Sequence, residues 1–86
     1  MFDEIIVHPR VRQRHPEIKE ADVIHACHSF LAMRQRIFIS PDQYAAAGVD
    51  SKGRVLEIVG VKIKGGPFMV YHAAKITRKM EKELNL

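Results

Sequence analysis

Apolar positions along this chain recur with two different periods, and the places where one period gives way to the other mark out its elements. Ile5, Ile6 and Val7 are β-branched and predict a short first strand. Pro9 suits the first position of a helix, and Pro16 limits how far that helix can run. Arg10 and Arg14, four apart, share one of its faces. Val23, Ile24, Cys27, Phe30 and Leu31 then fall on one side of a helix predicted over 20–33, with Asp22, His25 and Ser29 opposite. Its start is weakly marked, because Lys19 stands where a capping Ser or Thr is expected.

From Arg36 the pattern becomes extended. It predicts strands over 36–39, 43–49, 54–63 and 68–72, separated by Ser40-Pro41-Asp42, Asp50-Ser51-Lys52-Gly53 and Lys64-Gly65-Gly66-Pro67. The alanines of 43–49 are weak strand formers. Such short connections favour an antiparallel meander. A last helix is predicted over 74–84, with Ile76, Met80 and Leu84 on its docking side and Lys75, Arg78, Lys79 and Lys82 on the other. The expected fold is a single α+β domain over 1–86: an antiparallel meander sheet carrying two N-terminal helices and one C-terminal helix.

Composition narrows the class. The 86 residues, 47% hydrophobic and 28% charged, suit one globular domain rather than disorder. One cysteine, Cys27, allows no internal disulfide, no apolar run approaches the length of a membrane span, and Met1-Phe2-Asp3-Glu4 shows no signal-peptide pattern. A cytoplasmic protein is expected. The net charge of +4 is unevenly spread, at −1 over 1–50 and +5 over 51–86. That asymmetry points to a polyanion or an acidic protein as partner.

Few residues offer chemistry. His25-Ala26-Cys27-His28 invites a metal reading, but His25 and Cys27 lie roughly 200° apart on a helix, and no second cluster completes a tetrahedral site. No metal and no cofactor are expected. His72 ends a strand just before the basic helix and is the candidate for proton transfer, although alternation would put it on one face with Phe68 and Val70. Glu57 lies inside the longest strand, whose two faces are both apolar, so its environment stays open between core and solvent. Arg54 follows the hairpin Gly53 and could meet a phosphate or plain solvent. His15, beside Arg14, is a second candidate histidine. No phosphate loop, nucleophile elbow or aromatic stacking array is present.

Several strings taken together resemble one known group. Arg14-His15-Pro16 precedes a helix that opens Glu20-Ala21-Asp22-Val23 and reaches Ala26. Tyr44 is followed by Gly48, Gly53-Arg54 opens the long strand, and Thr77-Arg78-Lys79 with Glu81 lies in the tail. In this order they are similar to the BrnT-type branch of the RelE/ParE-like superfamily of type II toxin–antitoxin systems, over nearly the whole chain. That resemblance implies a curved antiparallel sheet with helices packed on it, in a bacterial cytoplasmic toxin that cleaves RNA without a metal. It also implies an antitoxin partner, often with a ribbon-helix-helix domain, through which the pair binds operator DNA. Arg14 and His15 match the family's basic–His pair, Arg54 its Gly-Arg arginine, and Arg78 and Lys79 its basic tail. Two positions depart from the pattern. Tyr71-His72-Ala73-Ala74 replaces a Ser-Ala-Arg element, so His72 or Lys75 would have to substitute for its arginine, and Pro16 replaces a Gly.

The expected site therefore has His72, Glu57 and Arg54 as catalytic residues, with Arg14, His15, Lys75, Arg78, Lys79 and Lys82 against RNA. The alternative is a catalytically inactive module of the same fold that binds an antitoxin or nucleic acid.

Overall fold

A computed structural model describes residues 2–86. The elements in chain order are β1 (Ile5–Val7), α1 (Pro9–Arg14), α2 (Glu20–Cys27), β2 (Phe30–Gln35), β3 (Gln43–Val49), β4 (Val55–Lys62), β5 (Phe68–Lys75) and α3 (Arg78–Glu83). They form a five-stranded sheet in the order β1-β5-β4-β3-β2. Strands β2 to β5 make the antiparallel meander that their short turns favour. The sheet as a whole is mixed, however, because β1 pairs parallel with β5, Ile5 opposite Phe68 and Val7 opposite Val70. A parallel neighbour needs a long crossover. Here everything between β1 and β5 serves as that connection, which no local turn signal reveals.

Two further boundaries move. The second helix stops at Cys27, and residues 30–33, expected to continue it, belong to strand β2 (Phe30–Gln35). Phe30 and Leu31 fit either period, and pairing with β3 decides for the strand. Residues 36–39 form the turn after it instead of a strand. At the other end β5 runs on to Lys75, because Leu56, Glu57 and Ile58 take Lys75, Ala74 and Ala73 as ladder partners. Tertiary pairing overrides the helix preference of the two alanines. Helix α3 starts only after Thr77, whose hydroxyl accepts a hydrogen bond from Met80 N at 3.3 Å.

Both faces of the sheet are covered. Helix α2 packs Val23, Ala26 and Cys27 on one face against Leu56, Ile58, Phe68, Val70 and Ala73, joined by Val11 and Ile18. Phe2 stacks on Phe68 at a centroid distance of 4.1 Å. Helix α3 lays Met80 and Leu84 on the other face against Ala45, Ala47 and Val59. The small residues of β3 answer to this double covering. Ala45, Ala46 and Ala47 are completely buried, and a Cβ on Gly48 would sit 2.1 Å from the backbone oxygen of Ala26. Only hydrogen fits between β3 and α2 there.

Candidate active-site cleft

On β4 the side chains alternate. Leu56 and Ile58 enter the α2-side core, which leaves Glu57 and Val59 on the opposite face. Glu57 does not meet solvent there, because α3 covers it; the residue is 7% exposed.

His72 reaches that face through a break in the ladder. Val70 pairs with Gly60 and His72 with Val59, so β5 carries one extra residue, Tyr71, at this point. A bulge of this kind displaces the alternation by one. Phe68, Val70 and Ala73 stay on the α2 side, while Tyr71 and His72 turn to the α3 side. The expected placement of His72 with Phe68 and Val70 is thereby corrected. Gly60, opposite the bulge, allows the Phe68 ring close approach, since a Cβ there would lie 2.5 Å from Phe68 Cζ.

The bulge brings His72 Nε2 within 2.7 Å of Glu57 Oε2. Glu57 Oε1 accepts two further bonds, from Thr77 N at 2.8 Å and Thr77 Oγ1 at 2.7 Å. Burial pushes the Glu57 carboxyl up, but the bonds from Thr77 and His72 outweigh it and hold the group below its ordinary value. Glu57 is thus a fixed carboxylate at neutral pH. It takes the proton-bearing Nε2 of His72 and leaves Nδ1 as the ring's acceptor, the tautomer that a general base requires.

Around this pair lies a cleft of about 350 Å³, lined by β4, β5 and α3 and rimmed by Arg10 of α1, Arg36 and Lys79. Arg36 is tied to Glu83 by paired bonds, both 2.7 Å, and to Gln43 Oε1 at 3.1 Å. Those bonds hold Glu83 below the ordinary carboxylate range. Its charge leaves Arg10 and Lys79 as the rim's available cations. Burial pushes the Tyr71 phenol up, so it remains a hydrogen-bond donor. His15, at the end of α1, stands edge-on to His72 with ring centroids 6.0 Å apart, its Nδ1 3.6 Å from Glu17 Oε2.

The expected residues divide accordingly. Glu57, His72 and Lys79 meet in the cleft, and His15 borders it. Arg54 lies on the other face of the sheet. Its Nε donates to Asp50 Oδ2 at 2.7 Å, its NH2 group to Asp22 Oδ2 at 3.1 Å and its NH1 group to Glu17 O at 3.3 Å. It joins the β3–β4 hairpin to the start of α2 between two buried carboxylates, away from the cleft. Arg14, Lys75, Arg78 and Lys82 are exposed and do not line the cleft, and Lys75 belongs to β5 rather than to the last helix. The cleft side chains that sequence reasoning passed over are Arg36 and Glu83; Tyr71 entered only in a motif comparison and Arg10 only for its spacing from Arg14.

His25 Nδ1 is 3.1 Å from Val49 O, and Cys27 is buried with its thiol pushed up to about 12 by desolvation. Among the described residues no group of three or more His, Cys, Asp or Glu side chains could hold a metal ion, and no helix is long and apolar enough to cross a membrane. No family model, curated protein or solved structure matches the chain.

Proposed function

We propose that this chain is the toxin component of a type II toxin–antitoxin system, an endoribonuclease of BrnT type that uses no metal. The observation that carries the reading is the Glu57–His72 pair, bonded at 2.7 Å inside a concave cleft rimmed by cations. RNA cleavage by its own 2′-hydroxyl asks for little more than this. His72 Nδ1 takes the 2′-hydroxyl proton as the 2′ oxygen attacks phosphorus, and the bond from phosphorus to the 5′ oxygen breaks. An acid then returns a proton to the departing 5′ oxygen. Arg10 and Lys79 offset the charge that builds on the phosphate. Glu57, already ionised and fully bonded, acts by orienting His72 rather than by carrying the proton. His15, whose ring stands 6.0 Å from that of His72, would serve as the acid.

In this reading a cognate antitoxin of ribbon-helix-helix type silences the toxin and carries it to operator DNA. Support comes from the order of motifs along the chain, and from a meander sheet with helices on it, the architecture those motifs imply.

A second reading is favoured by one observation. The deepest cation of the cleft, Arg36, is spent on Glu83, and the family's arginine before the last helix is absent. A chain so equipped could bind RNA or an antitoxin without cutting. Induced expression in a bacterium, followed by growth and total-RNA integrity, separates the two. Arrest with RNA breakdown, relieved by His72→Ala, supports the toxin. Intact RNA and normal growth with soluble, folded protein would sink it and leave the binding module.

A further inference from the structure

We propose that the outer edge of β2, together with the loop that follows it, is the interface between two copies of this chain, paired antiparallel about a twofold axis. The inference is independent of the ribonuclease reading and survives or fails without it.

Strand β2 ends the sheet, so its outer backbone groups have no strand partner among the described residues. Free edges of this kind are commonly guarded by a charge, a proline or a bulge. The bulge here lies at the very start, between Phe30 and Ala32, and leaves Ala32, Met33, Arg34 and Gln35 in regular register. The one charge on the strand is drawn aside. Arg34 reaches the backbone oxygen of Glu83 at 3.4 Å and holds its guanidinium 5.8 Å from the Phe38 ring centre. The edge is open.

What flanks it is apolar. Leu31, Ile37, Phe38 and Ile39 keep 56%, 69%, 71% and 55% of their surface exposed. At roughly 200 Å² for each such side chain, Ile37, Phe38 and Ile39 present about 390 Å² in one patch, within the range of the largest patch on a typical monomer, and Leu31 adds about 110 Å² at the far end of the edge. The loop is ordered: Ile39 N and Ser40 N both donate to Arg36 O, at 2.9 and 3.0 Å, while Arg36 is clamped by Glu83. Three successive large apolar residues are therefore held out in water with little conformational freedom left to lose on binding.

Their placement selects the occupant. Leu31 stands at one end of the free edge and Ile37–Ile39 just beyond the other. Antiparallel pairing of two such edges about a twofold brings each Leu31 toward the partner's Phe38 loop, so the same two patches are used twice. A stable interface needs about 800 Å² from each side; the two patches together supply more than half, and the paired edge with Met33 and Gln35 would have to supply the remainder. Each copy carries +4, so dimerisation should tighten as salt screens the repulsion, the reverse of what an acidic partner would show.

Sedimentation equilibrium of the full chain from micromolar to hundreds of micromolar tests this. The expected mass is twice 9.8 kDa in the upper part of that range, with tighter association at high salt. Replacing Ile37→Ser and Phe38→Ser together should weaken the dimer at least about tenfold and leave the circular dichroism spectrum unchanged, since both residues are exposed. Met33→Cys should cross-link as a dimer on oxidation, while a cysteine at Lys64, in the distant β4–β5 turn, should not. A mass of one chain throughout overturns the proposal and leaves the edge to a strand from a different polypeptide. A dimer that the double substitution does not weaken, or that Met33→Cys cannot trap, overturns it as well.

Discussion

Replacing Glu57 by glutamine separates the two tasks of this carboxylate. A glutamine keeps an oxygen where Thr77 N and Thr77 Oγ1 donate, at 2.8 and 2.7 Å, so the start of α3 stays capped. The other arm then presents an amide N–H to His72 Nε2, which must become an acceptor, and the ring proton moves to Nδ1. The base is lost with the ring still in place. Removing the proper tautomer from a catalytic histidine costs on the order of 10²–10⁴ in rate. Stability should fall by only about 1 kcal/mol, the worth of one hydrogen bond to a charge less what the amide recovers. Glu57→Ala is the contrasting change. It takes the acceptor from both Thr77 donors and from His72 Nε2; Thr77 is exposed and His72 half-buried, so water recovers part of the loss and about 2 kcal/mol is expected, against the roughly 4–13 kcal/mol that 86 residues hold together. Single-turnover cleavage of a labelled RNA, beside urea denaturation of the same preparations, reads both quantities. A Glu57→Gln protein that cleaves within about threefold of native rate would refute the tautomer argument, and one as unstable as Glu57→Ala would refute the division of tasks.

Other consequences follow from the same geometry. Arg54→Ala should lower the thermal midpoint, by removing the guanidinium that bonds both Asp50 of the hairpin and Asp22 of α2, yet leave cleavage per folded molecule unchanged; a selective loss of activity would return Arg54 to the site. Gly48→Ala places a methyl 2.1 Å from Ala26 O, a contact with backbone that must be relieved by moving α2, so a loss of about 3 kcal/mol or more is expected by denaturation. Lys79→Ala or Arg10→Ala should weaken RNA binding and reduce the slope of log affinity against log salt by about one phosphate contact each; an unchanged slope would exclude these residues from the interface. Asp22, Asp50, Glu57 and Glu83 are all held below their ordinary values in the fold. Groups so depressed add stability that is fully present above the unfolded carboxylate range near about 4 and is lost as pH falls through their folded values. Denaturation midpoints should thus be flat above about pH 5 and decline steeply in acid.

How much of this was readable beforehand depended on range. The strand at 5–7, the start of the first helix, the meander turns and the long strand around Glu57 came from local chemistry alone: β-branched runs, Pro9 at the first helical position, and Gly53 and Gly65 at positive φ. Errors gathered where distant segments decide. Phe30 and Leu31 fit helical spacing as well as any strand, and only β3 beside them settles the matter. Ala73-Ala74-Lys75 has helical composition but completes the ladder of β4. The parallel pairing of β1 with β5 has no local signature, since its partners are over sixty residues apart. For the site, His72 and Glu57 were found by residue type, but their meeting was hidden. Alternation alone put His72 with Phe68 and Val70 and left the face of Glu57 open; the inserted Tyr71 puts His72 on the face of Glu57. Arg54 misled for a related reason. A Gly-Arg pair at a strand start is the same string whether it faces a phosphate or, as here, two carboxylates brought in from α2 and from the hairpin itself.

The bulge ties the candidate chemistry to the fold more tightly than a surface dyad would. Thr77 caps α3 with an oxygen that also donates to Glu57, so the same carboxylate fixes the start of the helix and the tautomer of His72. Met80 and Leu84 then seat that helix on Ala45, Ala47 and Val59, and Glu83 at its end clamps Arg36. Docking of α3 and assembly of the cleft are therefore one event. A substitution that loosens the helix from its alanine floor should reduce activity through His72 without touching any residue that lines the cleft chemistry. The cost of that arrangement is a buried charge in the smaller of two cores; its return is an imidazole whose orientation does not depend on substrate.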